Sequence, residues 1–282
     1  MSSLSSGATT SRGSTTRFVE AAEAAQRRAL VVGVAAAVVV GIVLGAVLVV
    51  VANVVVGLLV AVAIMVIGAG AWALYVQSAM AGAADAVLDG LGTEVGPGEH
   101  ESLRNALDGV AILTGVKVPT LRVLVGDSAN AMAIQGLDED STVVVTSALL
   151  DGCRVVEAEA LAAELLCRVR DGSARYLALA SGLPAAVRSA AGITEASVAA
   201  AIGEQRAVHG DADAVSVTRY PPALQSALER MASTGTAVSA ASPGTAALWI
   251  APAVGTERGV PEAVARSVNQ DLGYRIAALR EL

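Results

Sequence analysis

The feature that most constrains the fold is a long uncharged stretch near the N-terminus. Residues 29–84 contain no Asp, Glu, Lys, Arg or His and consist mainly of Ala, Val, Leu, Ile and Gly. A helix that crosses a bilayer needs about 20 apolar residues, so this stretch is too long for one span and suits two. We place the spans at residues 30–51 and 54–76, with Asn53 in the tight turn between them. The sequence therefore predicts a helical hairpin in a lipid bilayer.

Two glycines in the first span bear on how the hairpin packs. Gly41 and Gly45 have the four-residue spacing that lets membrane helices approach closely. The same spacing also follows from the high usage of Gly and Ala alone. The sequence leaves both interpretations open.

The arginines predict the orientation of the hairpin. Positively charged residues next to a span remain on the cytoplasmic side. Four arginines precede the first span: Arg12, Arg17, Arg27 and Arg28. We therefore expect a cytoplasmic N-terminus and, after two spans, a cytoplasmic domain. The predicted domains are a basic tail at 1–28, disordered over its Ser- and Thr-rich first 16 residues, the hairpin at 29–84 and the cytosolic domain at 85–282.

The cytosolic part mixes helical and β-rich patterns. Apolar residues recur at helical spacing in most segments. Runs of β-branched residues occur between two long helical patterns, at 101–114 and 155–170. The predicted strands are 121–125, 129–134 and 142–146, and the predicted helices are 86–91, 101–114, 147–150, 155–170, 195–208 and 223–231. This order is typical of an α+β fold, mostly helical with a small sheet. With a net charge of −7 and no basic cluster, we expect no nucleic-acid partner.

One helix carries a partial catalytic pattern. In H-E-x-x-H, two histidines four residues apart bind zinc and the glutamate activates a water. Here Glu164 holds the glutamate position, while Ala163 and Cys167 hold the two histidine positions. Glu164 is either a remnant or an anchor for a hydrogen bond in the former cleft, and a buried cysteine is most often a small apolar residue.

With its neighbouring motifs, this helix resembles the HtpX-like membrane zinc metallopeptidases. The resemblance runs from the hairpin to the last residue and rests on six motifs in the family's order. They are NAMAIQG at 130–136, VVVTSALL at 143–150, EAEALAAELLC at 157–167, RAVHGD at 206–211, LWIAP at 248–252 and RIAALR at 275–280. The resemblance implies a zincin-like domain and, in the family, a catalytic zinc.

The chain departs from the family at each expected zinc ligand. The resemblance places the third ligand, a glutamate, at Ala207, and a family histidine near the C-terminus at Asn269. Alanine offers no lone pair, whereas a catalytic zinc takes three protein ligands. Unbound water has a pKa near 15.7, so Glu164 cannot activate it as zinc does. We expect no zinc and no hydrolysis by the family's route.

Other ligand sets are less favoured by the spacing. An active metallopeptidase with a rearranged site would have to recruit Cys167, His209, Asp211 or Glu204. A Cys167–His209 pair would need His209 to face the cleft, but it lies two residues after the lost ligand position, about 200° around a helix.

We therefore expect an inactive homologue that keeps a peptide-binding role. The predicted edge strand, with Asn130, Ala131, Met132 and Ala133, would accept an extended peptide by strand addition. The expected partners are unfolded peptide segments or a membrane protein, in membrane protein quality control. The alternatives are an active zinc metalloendopeptidase with a rearranged metal site and a purely structural membrane protein.

Overall fold

The protein begins with two long apolar helices. The computed structural model describes residues 6–51, 53–96, 98–203, 205–254 and 271–282. Helix α1 spans Ser6–Val51 and helix α2 spans Val54–Ala81. Asn53 lies between them and caps α2, since its Oδ1 accepts a hydrogen bond from the Val55 amide at 2.9 Å. The described part of the chain contains two helices long and apolar enough to cross a membrane, Arg17–Val51 and Val54–Ala81.

The two apolar helices were predicted, but α1 begins earlier than the sequence indicated. Residues 6–16 are helical where their composition predicted disorder, and residues 1–5 lie outside the described residues. Forming the first turn is the costly step of helix formation, and adding residues to an existing helix costs little. A polar segment can therefore continue an apolar helix. α2 also ends five residues after the predicted span, at Ala81 rather than residue 76.

Glycines bring α1 and α2 into close contact. A Cβ atom on Gly45 would lie 2.5 Å from the Cβ of Ala61, and one on Gly41 would lie 2.9 Å from the Ala61 carbonyl oxygen. A Cβ on Gly57 of α2 would lie 2.7 Å from the backbone nitrogen of Val49. The packing role of Gly41 and Gly45 is therefore confirmed, because side chains there would push the helices apart.

A four-stranded mixed sheet follows the hairpin. Its strands are β1 Thr93–Glu94, β2 Thr120–Leu124, β3 Ala131–Gln135 and β4 Ser141–Thr146. The strand order is β1-β2-β4-β3, with β2 and β4 parallel and the other two pairs antiparallel. The three predicted strands are confirmed to within two residues, whereas β1 was not predicted. This order places β3 at one side of the sheet.

Helices surround the sheet and bury one central helix. The helices after α2 are α3 Ala83–Leu88, α4 Glu101–Thr114, α5 Ser147–Leu150, α6 Val155–Arg170, α7 Ser173–Gly182, α8 Ala185–Ala190, α9 Glu195–Ile202, α10 Arg206–Thr218, α11 Pro221–Thr234 and α12 Leu272–Leu279, with a 3₁₀ turn at Pro243–Leu248. Helix α6 packs against α4, α10 and α11, and its side chains are buried almost throughout. The fold is mostly helical with a small mixed sheet, as predicted.

The predicted helix at 195–208 is two helices. Gly203 ends α9 with φ 76° and ψ 163°, a conformation that breaks the helix and is open to glycine. Helix α10 follows, beginning at Arg206, and packs against α6. This break matters for function because α10 carries the position of the third expected ligand.

Candidate functional site

Helix α6 is built to present Glu164 inside the protein. At its start, Glu157 accepts a hydrogen bond from the Arg154 amide at 3.1 Å, which satisfies one free donor of the first turn. At its end, Arg168 and Arg170 stand in the last turn, where the helix dipole favours cations. Between them the helix is apolar on nearly every side, so Glu164 is fully buried.

Two arginines bind the same oxygen of Glu164. Arg168, one turn later on α6, donates from Nη2 to Oε1 at 2.7 Å. Arg275 of α12 donates from Nη2 to the same oxygen at 3.2 Å. Both guanidiniums are buried, so these are charge-assisted contacts in a region with little water to screen them. Glu164 is therefore the negative centre of a buried ion-pair cluster.

Arg275 joins this cluster to α10. Its Nε donates to Oδ2 of Asp211 at 2.8 Å and its Nη2 donates to Oδ1 at 2.6 Å, a bidentate pair. Burial lowers the pKa of Arg275, but Glu164 and Asp211 outweigh it and hold that pKa above its ordinary value. Burial raises the pKa of Asp211, and Arg275 opposes this shift. The guanidinium thus lies between the carboxylates of α6 and α10.

The three expected ligand positions are all buried, and they do not fit a zinc ion. Ala163 and Ala207 carry no donor atom. Burial raises the pKa of the Cys167 thiol to about 12, which disfavours the thiolate that binds metal. Among the described residues there is no group of three or more His, Cys, Asp or Glu side chains that would hold a metal ion. We therefore derive no chemical step through zinc.

The remaining ligand candidates from the sequence form no metal site among the described residues. His209 is exposed on α10, whereas Cys167 is buried on α6, so they do not form a reactive pair. Glu204 and Asn269 lie outside the described residues. Asp211 does lie in the cluster, but it binds Arg275.

The predicted peptide-binding edge is covered by another segment of the chain, which the sequence did not predict. Asn130, Ala131, Met132 and Ala133 are all buried, although β3 is the outer strand on its side of the sheet. Residues 248–251, which we call the strap, cover its free edge. Met132 pairs with Trp249 in an antiparallel bridge, and the Ile250 amide donates to the Ala131 carbonyl at 2.8 Å. An exposed edge leaves backbone groups unpaired, and the strap pairs one of them, the Ala131 carbonyl, from within the chain.

The strap is also bound by the side chains around Glu164. Arg168 donates from Nη1 to the carbonyl oxygens of Trp249 at 3.1 Å and Leu248 at 3.3 Å. Arg275 donates from Nη1 to the Ile250 carbonyl at 2.7 Å. These two arginines were missed as site residues, although the four-residue spacing of Glu164 and Arg168 is a standard helical ion-pair signal. Glu164 and the covered edge are thus joined through the same two arginines.

The chain combines two N-terminal helices long and apolar enough to cross a membrane, a small sheet and a buried glutamate on a central helix. Distant similarity to curated HtpX homologues supports a membrane protease-like family. The chain is 26% identical over 184 residues to the "Protease HtpX homolog" of Dictyoglomus turgidum, covering 54% of this chain and 60% of the relative. It is also 26% identical over 184 residues to the homologue of Dictyoglomus thermophilum, covering 54% of this chain and 61% of that relative.

These matches support an HtpX-like family. The chain spans about three fifths of the length of the curated relatives it matches. No protein-family model and no solved structure matches the chain. The catalytic state of the domain therefore has to be argued from its own residues.

Proposed function

We propose that the protein is a membrane-anchored HtpX-like peptidase homologue that binds polypeptides or a membrane partner without hydrolysing them. It acts in membrane protein quality control at the bacterial inner membrane, with its N-terminus and its zincin-like domain in the cytoplasm. The observation that carries the proposal is the pairing of Glu164 with Arg168 and Arg275 in place of a metal and its water.

The environment of Glu164 argues against a role as general base. A base of this kind needs a water whose pKa a metal has lowered from 15.7 to about 7. One oxygen of Glu164 accepts from two guanidiniums, and the other is buried without a hydrogen-bond partner among the described residues. A carboxylate that accepts from two guanidiniums inside a closed core has no route to substrate.

The proposed binding role rests on the sheet edge at β3. The sheet edge at β3 still takes an extended segment, since the strap pairs with it in the antiparallel sense. An edge that accepts the chain's own segment has the backbone groups and apolar pockets that a foreign segment would use.

The proposal is tested on the full chain in lipid nanodiscs with fluorescent casein, an unfolded probe. Gel analysis after incubation with added zinc reports cleavage, and fluorescence anisotropy reports binding. We expect reversible binding and no fragments. Zinc-dependent fragments that disappear in Glu164→Gln would establish the active rival, and absence of binding to any variant would leave only a structural role.

A further inference from the structure

We propose that the strap is a resident pseudo-substrate: it occupies the peptide-accepting edge of β3, and Glu164 is the positioning residue that holds it there. The proposal rests on the binding role argued above and adds its regulation. An incoming extended segment binds only when the strap leaves the edge.

The strap is attached to the sheet by few backbone contacts. A full strand exchanges hydrogen bonds along its whole length. Among the described residues, the strap makes one such bond to β3, from Ile250 to Ala131, and one bridge pair, Met132 with Trp249. The other contacts come from side chains: Asn130 binds both the Ala251 carbonyl, at 3.0 Å, and the Ala251 amide, at 3.3 Å. Release of the strap therefore breaks one backbone hydrogen bond and leaves the pairing of β3 with β4 intact, while the burial of the strap's side chains opposes release.

The arginines give Glu164 control over the strap. Arg168 binds two strap carbonyls, and its one ion-pair partner among the described residues is Glu164. Arg275 binds a third carbonyl and retains Asp211 as a second partner. Loss of the charge on Glu164 therefore frees Arg168 first. This is a positioning role, because the hydrogen bonds of Glu164 among the described residues go to Arg168 and Arg275 and not to the strap.

The buried face of the strap indicates the chemistry of the segment that would replace it. Trp249 is almost fully buried in the same apolar cluster as Met132 and Ile134. Its indole Nε1 is buried without a hydrogen-bond partner among the described residues. The pocket therefore favours a large apolar side chain, and the described residues offer that side chain no hydrogen-bond partner. We infer that the displacing partner is an extended apolar segment, as exposed by an unfolded membrane protein.

The chain offers a matched control for Glu164. Glu157 lies on the same helix, is equally buried, and is also paired with two arginines, Arg154 and Arg230. Within the described ranges, the hydrogen-bond partners of Glu157 are Arg154, Ser226 and Arg230, none of which belongs to the strap. Glu157→Gln therefore removes a comparable buried charge without freeing Arg168.

The experiment uses the full chain in nanodiscs and a fluorescein-labelled peptide with the sequence of residues 246–253. Hydrogen exchange of the strap amides is read beside that of β4. In Glu164→Gln we expect strap exchange to accelerate about ten-fold, as for the loss of one charge-assisted hydrogen bond, with β4 unchanged. The peptide should bind Glu164→Gln about ten-fold more tightly than it binds wild type or Glu157→Gln. If Glu164→Gln exchanges globally, Arg168→Met provides the same test, because it leaves Glu164 paired with Arg275.

The outcomes separate this proposal from the proposed function. Unchanged strap exchange and equal peptide binding in Glu164→Gln, Arg168→Met and Glu157→Gln would overturn the strap proposal, even if casein binds all of them. Strap release as expected, with no casein binding by any variant, would support the strap and refute the polypeptide-binding function.

Discussion

Replacement of Arg275 by Met tests the buried ion-pair cluster most severely. Arg275 is almost fully buried, forms a bidentate pair with Asp211, and contacts Glu164 at 3.2 Å. Met keeps the volume but removes the charge, so two buried carboxylates lose their shared cation. Removing one partner of a buried ion pair lowers the free energy of unfolding by about 3–5 kcal/mol, because the remaining charge stays buried without a partner.

That loss corresponds to a large shift in thermal stability. For a domain of about 200 residues, 1 kcal/mol changes Tm by about 2–4 °C, so the expected decrease is about 6–20 °C. Adding Asp211→Asn to Arg275→Met should restore much of it, because this removes the carboxylate left unpaired while Glu164 keeps Arg168 as its partner. The restoration distinguishes loss of charge pairing from simple loss of packing.

The loss of stability should also depend on pH. Burial raises the pKa of Asp211, and Arg275 is the cation that opposes this. Without it, the folded-state pKa rises further above the unfolded value. A carboxyl with a raised folded pKa contributes stability below its unfolded pKa, about 3.9, and loses it as pH rises through the folded pKa. Arg275→Met should therefore be less destabilised near pH 5 than at pH 8.

The assay is thermal unfolding of the full chain in detergent, followed by the fluorescence of Trp249 in a Trp72→Phe background. Arg280→Met is the control, because Arg280 forms an exposed ion pair with Glu229 and should give no measurable shift. Equal Tm values for Arg275→Met and Arg280→Met would refute the cluster as a stabilising structure.

Three further predictions concern other parts of the chain. Gly57→Leu should open the hairpin at a lower SDS concentration, because its Cβ would lie 2.7 Å from a backbone atom. Gly70→Leu is the control, since no atom lies within 4 Å of a Cβ there. Equal SDS midpoints for the two variants would contradict this. Burial opposes ionisation of Glu157, but its hydrogen bonds lower its pKa from 4.5 to about 2, so its stabilising charge is lost as pH falls through that range. The stability difference between wild type and Glu157→Gln should shrink from pH 5 to pH 2, and a constant difference in denaturant titrations would contradict it. Burial raises the pKa of Cys167 to about 12, so maleimide at pH 8 should label Cys153 alone before unfolding; native labelling of Cys167 would contradict this.

Local pattern predicted strands β2 to β4 and several helices of this fold, but not α7, α8 or α12. The helices at Glu101–Thr114 and Val155–Arg170 have the bounds that their apolar periodicity indicated, and Asn53 caps α2 at the predicted turn. The two-residue strand β1 was missed because so short a strand has no alternating pattern of its own. The division of residues 195–208 was missed because the break depends on the backbone conformation of Gly203.

The site was predictable only in part, because its contacts join distant parts of the chain. The sequence located Glu164 and the replaced ligand positions. It gave no sign that Arg275, 111 positions away, binds that glutamate. It also identified β3 as a strand but not the strap that covers its edge, because edge coverage is a tertiary contact without a local signal.

The most direct test of the central claim is the zinc content of the purified full chain, measured by mass spectrometry after growth with added zinc. The claim is that Glu164 is paired with two arginines and does not stand beside a zinc-bound water. We predict far less than one zinc per chain, unchanged in Glu164→Gln, and a gain of zinc when Ala163→His, Cys167→His and Ala207→Glu are combined. About one zinc per wild-type chain, removed by a chelator, would contradict the account.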